Sequence, residues 1–538
     1  MNETTPQPGP TPGTKRRMRW WIPAAILALA AMNIVRIQEW TDLDSMAKNM
    51  QTFFMGLVTS GLLIIWWLFL TKLRWRTRLT GFGVVVVCVM GLKQLVRIDG
   101  SVNGGGRPNI VWKWTSRKTG NISEFKTVAK QRSELDRVIE YPGYLGSKRS
   151  GIIEGVELDS DWTAHPPQEL WRRPIGLGWS AFAVSGSSAL TQEQRGECEL
   201  TVCYDLGTGN QVWSHTNFVR FSEPMGGDGP RATPTISGGR VYALGATGIL
   251  DCLDGATGKL IWTRDTLKEN GIPNTYFGKC SSPLVVDDLV IVTGGMTNGS
   301  TVLAFRCEDG TPAWRAGDDE ASFSSPTLVT LGGKRQVLSI NAASVAGYDP
   351  KDGTALWKYA WANNKWPKCA QPVVLENDRV FFSASFSAGC VLLQVTADAE
   401  GKESARELWK NRNLKSEFSH IVSRNGFIYG LDDGILACLD LANGERKWKD
   451  GHYGHGQLLL VNDLLLVQAE QGPVVLVEAN PTAYLEVARL NALSSKTWNT
   501  PVLAGPFLLV RNDQEAVCYR LPERGQRKGV VAENERTP

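Results

Sequence analysis

His452 and His455, in GHYGHGQ, are the one pair of side chains in this sequence spaced like metal ligands. Two imidazoles do not make a zinc site, and no third ligand accompanies them. The same residues also fit a glycine-rich turn whose histidines bond the backbone. No acidic run has the spacing of a Ca²⁺ loop, and Gly-x-Ser-x-Gly is absent, so no nucleophile elbow is implied. The sequon at 298–300 is uninformative on its own. What does recur is a cation: Arg231 before ATP, Lys279 before CSSP, Lys368 before CAQP and Lys496 before TWNTP, with His455 in a similar place. Five such groups at one end of a ring would make an electropositive mouth for an anionic ligand or an acidic loop. They also fit ordinary solvated rim charges. The first reading expects His455 to gain its charge only as pH falls toward about 6.5. It also expects reversal of Arg231 and Lys368 to weaken binding without lowering stability.

Such convergence needs a closed ring, and the sequence contains the parts of one. YDLGTGNQVW (204–213) reads as two strands joined by a turn. Asp205 can accept backbone N–H groups there, Gly209 can take the positive φ that reverses the chain, and Trp213 follows on the next strand. The same module recurs as Asp254, Gly258 and Trp262, as Asp349, Gly353 and Trp357, and as Asp440, Gly444 and Trp448. A further copy has Gly310 and Trp314, with Arg306 in the Asp place. Trp171, Trp213, Trp262, Trp314, Trp357, Trp409 and Trp448 lie 39 to 52 residues apart. That period suits a four-stranded propeller blade. A degenerate unit follows Trp448, with Glu478 and Thr482 in the Asp and Gly places. Last come three strands, 498–504, 507–513 and 515–521. ELWRRPI (169–175) would supply their missing fourth. The expectation is all-β: an eight-bladed propeller of four-stranded blades over 168–522, with no free sheet edge at the seam.

Asp-x-x-[Thr/Asn/Asp]-Gly-x-x-x-Trp resembles the repeat of the eight-bladed propellers named after pyrroloquinoline quinone. That family includes quinoprotein alcohol dehydrogenases and the non-catalytic outer-membrane assembly propeller. YPGYLGSKRSG (141–151), ELWRRPIGLGWSAFAV (169–184) and GDGPRATPTI (227–236) look like its lead-in and first blades. In the dehydrogenases the resemblance implies a disulfide of adjacent cysteines against the quinone and a Ca²⁺ site with a catalytic Asp. This chain has no Cys-Cys dipeptide. The expectation is therefore no cofactor and no catalytic residue. The alternative is a divergent oxidoreductase using pyrroloquinoline quinone with Ca²⁺.

Ahead of the ring lies a different composition. Residues 1–97 hold 12 Lys/Arg and 4 Asp/Glu, the rest 46 and 50, so the chain's net charge of +4 arises in the N-terminal part. A mildly acidic propeller excludes a general field for nucleic acid. Residues 1–19 and 523–538 read as disordered tails, and 98–167 as tether and lead-in. Residues 20–97 read as a membrane anchor with transmembrane helices at 20–37, 53–71 and 79–97. The alternatives are a cleaved signal peptide at 20–35 and a buried or re-entrant segment at 79–92. Lys72, Arg74, Arg76 and Arg78 crowd one short loop with no acid, which places 71–78 in the cytoplasm and the propeller outside the cytoplasmic membrane. Cys203, Cys252, Cys438 and Cys518 sit two residues before the Asp place of their repeats and read as small buried apolar groups. Cys198 and Cys203 are the pair left open for a disulfide. The functional expectation is a membrane-anchored, non-catalytic scaffold that binds an envelope protein or an anionic ligand.

Overall fold

A computed structural model of the chain describes residues 19–40, 43–115, 135, 137–295, 300–361, 367–386 and 388–525. Residues 1–18 and 526–538 of the expected tails, 116–134 of the tether and Asn298 of the sequon lie outside the described residues. The chain forms two compact units.

The first unit comprises residues up to 97 and 110–115. Its helices are α1 (Trp21–Glu39), α2 (Ser45–Ile65, continued by a π-helical turn Trp66–Leu70) and α3 (Trp75–Leu95). All three are long and apolar enough to cross a bilayer. Asp44 starts α2 ahead of the apolar run at 53, because its Oδ1 accepts the Ala47 N–H at 2.9 Å. Arg78 closes the turn into α3, donating to the carbonyls of Leu68 and Leu73.

The second unit comprises 98–109 and the residues from 116 onward, and it contains the eight-bladed propeller. Blades one to seven run over 183–217, 235–265, 284–316, 327–360, 373–411, 421–452 and 457–490. The eighth pairs three C-terminal strands with Gln168–Pro174, so the first and last strands of the propeller close the ring in one antiparallel sheet. Arg511 fastens this seam from blade eight, donating to Thr191 Oγ1, Gln192 O and Gly176 O beside blade one. Blade seven departs from the four-stranded expectation. Ile152–Ile153 adds a fifth, parallel strand along its innermost edge.

The Gly–Trp spacing has a cause beyond the turn. Each module glycine has positive φ: Gly209 +69°, Gly258 +71°, Gly310 +73°, Gly353 +77° and Gly444 +72°. Each also lies against the tryptophan of the preceding blade. A Cβ on Gly209 would meet the Trp171 ring at 2.5 Å, one on Gly310 would meet Trp262 at 2.7 Å, and one on Gly258 would run into Trp213. Gly444 is the most tightly enclosed of the five. A Cβ there would meet the Trp409 ring at 2.7 Å and would strike the Asn411 amide before it. Asn411 and Asn413 of the crossing from blade five both donate to Gly444 O, at 3.0 and 2.8 Å. This glycine is therefore clamped by two side-chain amides as well as by an indole.

The indole N–H of each ring bonds the next blade: Trp171 to Leu206 O, Trp213 to Gly255 O, Trp262 to Cys307 O, Trp314 to Pro350 O, Trp409 to Leu441 O and Trp448 to Asn480 O, at 2.7–3.2 Å. Asp205 and Asp254 hold their turns by accepting the N–H and hydroxyl of Thr208 and Thr257. Asp349 and Asp440 accept the backbone N–H of Lys351 and Ala442 instead. Where Arg306 replaces the Asp, Asp309 does the same for Thr311.

Two units break the pattern. Trp357 donates to Gln336 of its own blade. The next blade's outer strands, Gly389–Ala397 and Glu403–Asn411, run nine residues each and carry their turn past it. In blade seven Ala488 takes the tryptophan position, opposite Leu476. Cys203, Cys252, Cys438 and Cys518 are buried and pair in register with Trp213, Trp262, Trp448 and Trp171. A small side chain there leaves room for the ring opposite. Cys198 and Cys203 form no disulfide; they lie at opposite ends of one extended strand segment, far beyond bonding reach.

Removing Trp262, which is 8% exposed, should cost about 3–5 kcal/mol by the cavity argument. Gly258→Val and Trp213→Ala should each destabilise, and the pair should be non-additive because they remove one shared contact. Urea unfolding of the natural chain, both single variants and the double variant checks it. Additive losses would mean that the two residues do not meet.

Candidate functional site

The axis of the ring is filled by the chain itself. Residues 141–153 cross it and touch almost every blade. Tyr141 pairs with Val184 of blade one, and Ile152 and Ile153 pair with Leu460 and Val461 of blade seven. The Ser150 carbonyl meets His420 Nε2 at 2.7 Å, beside blade six. Arg149 is 6% exposed and donates to the carbonyls of Ser282, Pro283 and Pro326 and to Thr235 Oγ1. Burial pulls its pKa down, to about 10, against the nearby Tyr144. A guanidinium has five N–H groups and no acceptor, so inward-facing carbonyls from several blades suit it.

Around this plug the blades join through their entry residues. Ala181 N donates to Thr233 Oγ1, Thr233 N to Ser282 Oγ and Ser282 N to Ser325 Oγ, stitching blades one to four at 2.9–3.2 Å. His420 N to Gln457 Oε1, Gln457 Nε2 to Trp498 O and Asn499 Nδ2 to Ser180 O continue it through blades six, seven, eight and one.

The recurring cations stand a few residues before the innermost strands of their blades, and each is bonded within the protein. Arg231 donates to Gly227 O and Gly229 O, pairs with Glu223 at 3.3 Å and lies over the Phe221 ring. Lys279, 3% exposed, gives its ammonium to the carbonyls of Thr293 and Gly294. Lys368, 1% exposed, gives its own to Ala342 O. Burial pulls both lysines down to about 8. Reversing Arg231 or Lys368 would place a negative charge against carbonyls that have lost their donor, so the buried geometry argues for a loss of stability where the sequence reading expects none. The Lys496 ammonium lies over both the Trp179 and Trp498 rings, 5.2 and 4.1 Å from their centroids, and the rings pack on each other at 4.8 Å.

His452 and His455 do not meet as a metal pair. His452 ends an outer strand and is exposed, whereas His455 is buried. His455 Nε2 lies 2.8 Å from Glu417 and 3.7 Å from Asp433, and Nδ1 lies 4.0 Å from Glu470. Burial alone would depress its pKa. The nearby carboxylates of Asp433, Glu417 and Glu470 outweigh burial and push it up to about 10. The imidazolium is thus present at neutral pH, not only under acid as the sequence reading expects. Among the described residues no group of three His, Cys, Asp or Glu is placed to hold a metal ion.

Pyrroloquinoline quinone with Ca²⁺ does not fit these residues. No adjacent cysteines exist, none of the ten cysteines is in a disulfide, and the axis is occupied by Arg149 and its neighbours. Sequence reading missed Arg149, Glu470, Trp179 and Trp498. The two tryptophans carried a signal: they occupy in blades one and eight the entry position that Arg231 holds in blade two. Glu470 carried none, since it lies at the far end of a neighbouring strand.

The His455 cage sets a pH dependence. Its folded pKa is raised, so its stabilisation is complete below the unfolded value of about 6.5 and fades as pH climbs through about 10. The stability gap between the natural chain and His455→Gln should be widest near pH 6 and close near pH 10. Denaturant midpoints across that range measure it; a gap that widens with pH would contradict the cage.

Comparison with known proteins places this geometry. The family model described as outer membrane protein assembly factor BamB matches residues 168–450. The relative of that name from Yersinia pestis is 23% identical over 376 residues, 64% of this chain and 86% of its own length. The one from Xanthomonas campestris pv. campestris is 29% identical over 139 residues, 26% of this chain and only 32% of its own length. Among solved structures, the quinohemoprotein alcohol dehydrogenase of Comamonas testosteroni shares the fold. It has a TM-score of 0.52 at 12% identity, covering 73% of this chain and 83% of that one. With the matched region taking in every Gly–Trp module from Gly209 to Trp448, this chain belongs to the BamB family of pyrroloquinoline-quinone-like propellers.

Proposed function

We propose that this protein is a membrane-anchored, non-catalytic propeller that serves as a binding scaffold for another envelope protein on the outer side of the cytoplasmic membrane. The observation that carries this reading is the family match over the blades. The filled axis supports it, since Arg149 and its neighbours stand where the ring's segments converge. Anchoring rests on α1, α2 and α3, each long and apolar enough to cross a bilayer. Orientation rests on the four-cation loop 71–78, which the positive-inside rule assigns to the cytoplasm. The relatives are named as assembly factors of the outer membrane, and a protein partner in the envelope is the corresponding role here.

The binding face in this reading is the mouth that Arg231, Lys279, Lys368, His455 and Lys496 frame. Their inward bonding makes them the frame of that face and leaves contact to the groups they position, Trp179, Trp498 and Glu470 among them.

Phosphatase reporters fused after residues 75 and 120 test orientation: activity is expected at 120 and not at 75. Crosslinking in intact membranes should capture an envelope protein on the propeller. Added pyrroloquinoline quinone and Ca²⁺ should give no saturable alcohol or sugar oxidation. An inactive reporter at 120, or cofactor-dependent turnover, would overturn the proposal.

A further inference from the structure

The mouth already holds a polypeptide turn, and the manner of holding it defines a site. Residues 98–109 belong to the propeller unit. Within them Val102 N bonds Arg107 O at 2.8 Å, closing a loop around the run Gly104–Gly106. Lys496 donates its ammonium to the Ser101 carbonyl at 2.8 Å. Glu470 Oε1 accepts the Gly104 N–H at 2.6 Å. Ser101 ends its strand, and the turn beyond it is closed by Gly106 N–H to Asn103 O at 3.3 Å. The protein supplies one donor and one acceptor to two further backbone groups of this loop, the Ser101 carbonyl and the Gly104 N–H three residues on.

Both groups are prepared for that task. Glu470 is 2% exposed, and its Oε1 also accepts Trp498 Nε1–H at 2.8 Å, which fixes its direction. The Lys496 ammonium lies against the packed pair Trp179 and Trp498. Gly104 is read by shape: a Cβ there would run into the His455 ring, 2.5 Å from Nδ1. That ring is held by Glu417, Asp433 and Glu470. Recognition therefore rests on two backbone groups and one missing side chain, a pattern that a hairpin loop with glycine three residues after the bonded carbonyl can satisfy.

We propose that Lys496, Glu470 and His455 form a recognition site for a hairpin loop with glycine three residues after the bonded carbonyl, filled in cis by residues 101–106 and able to take a partner's loop of the same kind when that segment leaves. This deepens the reading of the mouth as the binding face and rests on it. The test, however, needs no envelope partner.

The probe is a fluorescent peptide of residues 98–109, IDGSVNGGGRPN, added to the full chain in detergent. Gly104→Val in the chain should expel its own turn and let the peptide bind at least about tenfold tighter than to the natural chain, the scale of one charge-assisted hydrogen bond. The same peptide with Val at position 104 should bind neither chain. Glu470→Gln added to Gly104→Val should lose about tenfold again. Should Gly104→Val melt abnormally, a chain with a protease site inserted after Gly106, cut only after folding, opens the site without touching it, and the peptide should then bind. Equal binding to the natural and opened chains, no binding to an opened folded chain, or equal binding of the Val peptide would each overturn the proposal. Peptide binding without any captured envelope protein would instead sink only the scaffold role.

Discussion

An indole laid on a glycine is the contact on which this ring depends. A propeller blade is a twisted sheet whose two faces must both be covered by neighbours. Each tryptophan covers the next blade's turn, and its N–H bonds a carbonyl that the turn would otherwise leave to solvent. The contact forces glycine at the turn twice over, by positive φ and by the lack of space for a Cβ. It also explains why four residues separate glycine and tryptophan: one blade receives a ring at the glycine and passes its own ring forward from the next strand. Where blade five lacks the short turn, the chain of contacts breaks and Gln336 takes the indole N–H instead.

A ring of this kind leaves an axis lined by backbone carbonyls and strand edges, and here protein fills it. Arg149 serves several carbonyls at once, and Ile152–Ile153 pairs with an innermost strand edge. At the mouth the same logic applies to the lysines. Lys279 and Lys368 answer carbonyls at strand ends and blade turns, and Lys496 answers the loop of residues 101–106. The polar residues of this end are thus chiefly structural acceptor–donor pairs, with the Glu470–His455–Lys496 group aimed at a polypeptide.

Legibility in the sequence followed the range of the interaction. The Gly–Trp modules are local, so the blades, their number and the closing strand 169–175 could be read from spacing. Gly444 marks the edge of that legibility: its turn could be read, but the Asn411 and Asn413 amides that clamp it come from the preceding blade. That cations stand a few residues before the innermost strands of several blades could also be read, although their exact place shifts from blade to blade. Their partners could not be read. Thr293 and Gly294 lie across a strand from Lys279, and Ala342 belongs to another blade than Lys368, so burial turned expected surface charges into internal ones. His455 shows the same limit: three carboxylates from separate loops surround it, and spacing to His452 gave no hint of them. Residues 98–109, polar and glycine-rich, had the composition of a tether. Their role depends on Glu470 and Lys496, more than 300 residues away in sequence.

Amide hydrogen exchange across residues 141–153 of the full chain tests most directly whether this is a self-filled scaffold. The account predicts that these amides exchange about as slowly as 457–461, the innermost strand beside which Ile152 and Ile153 lie. Exchange there as fast as at exposed loop tips, with 457–461 still protected, would mean an open axis and would contradict it.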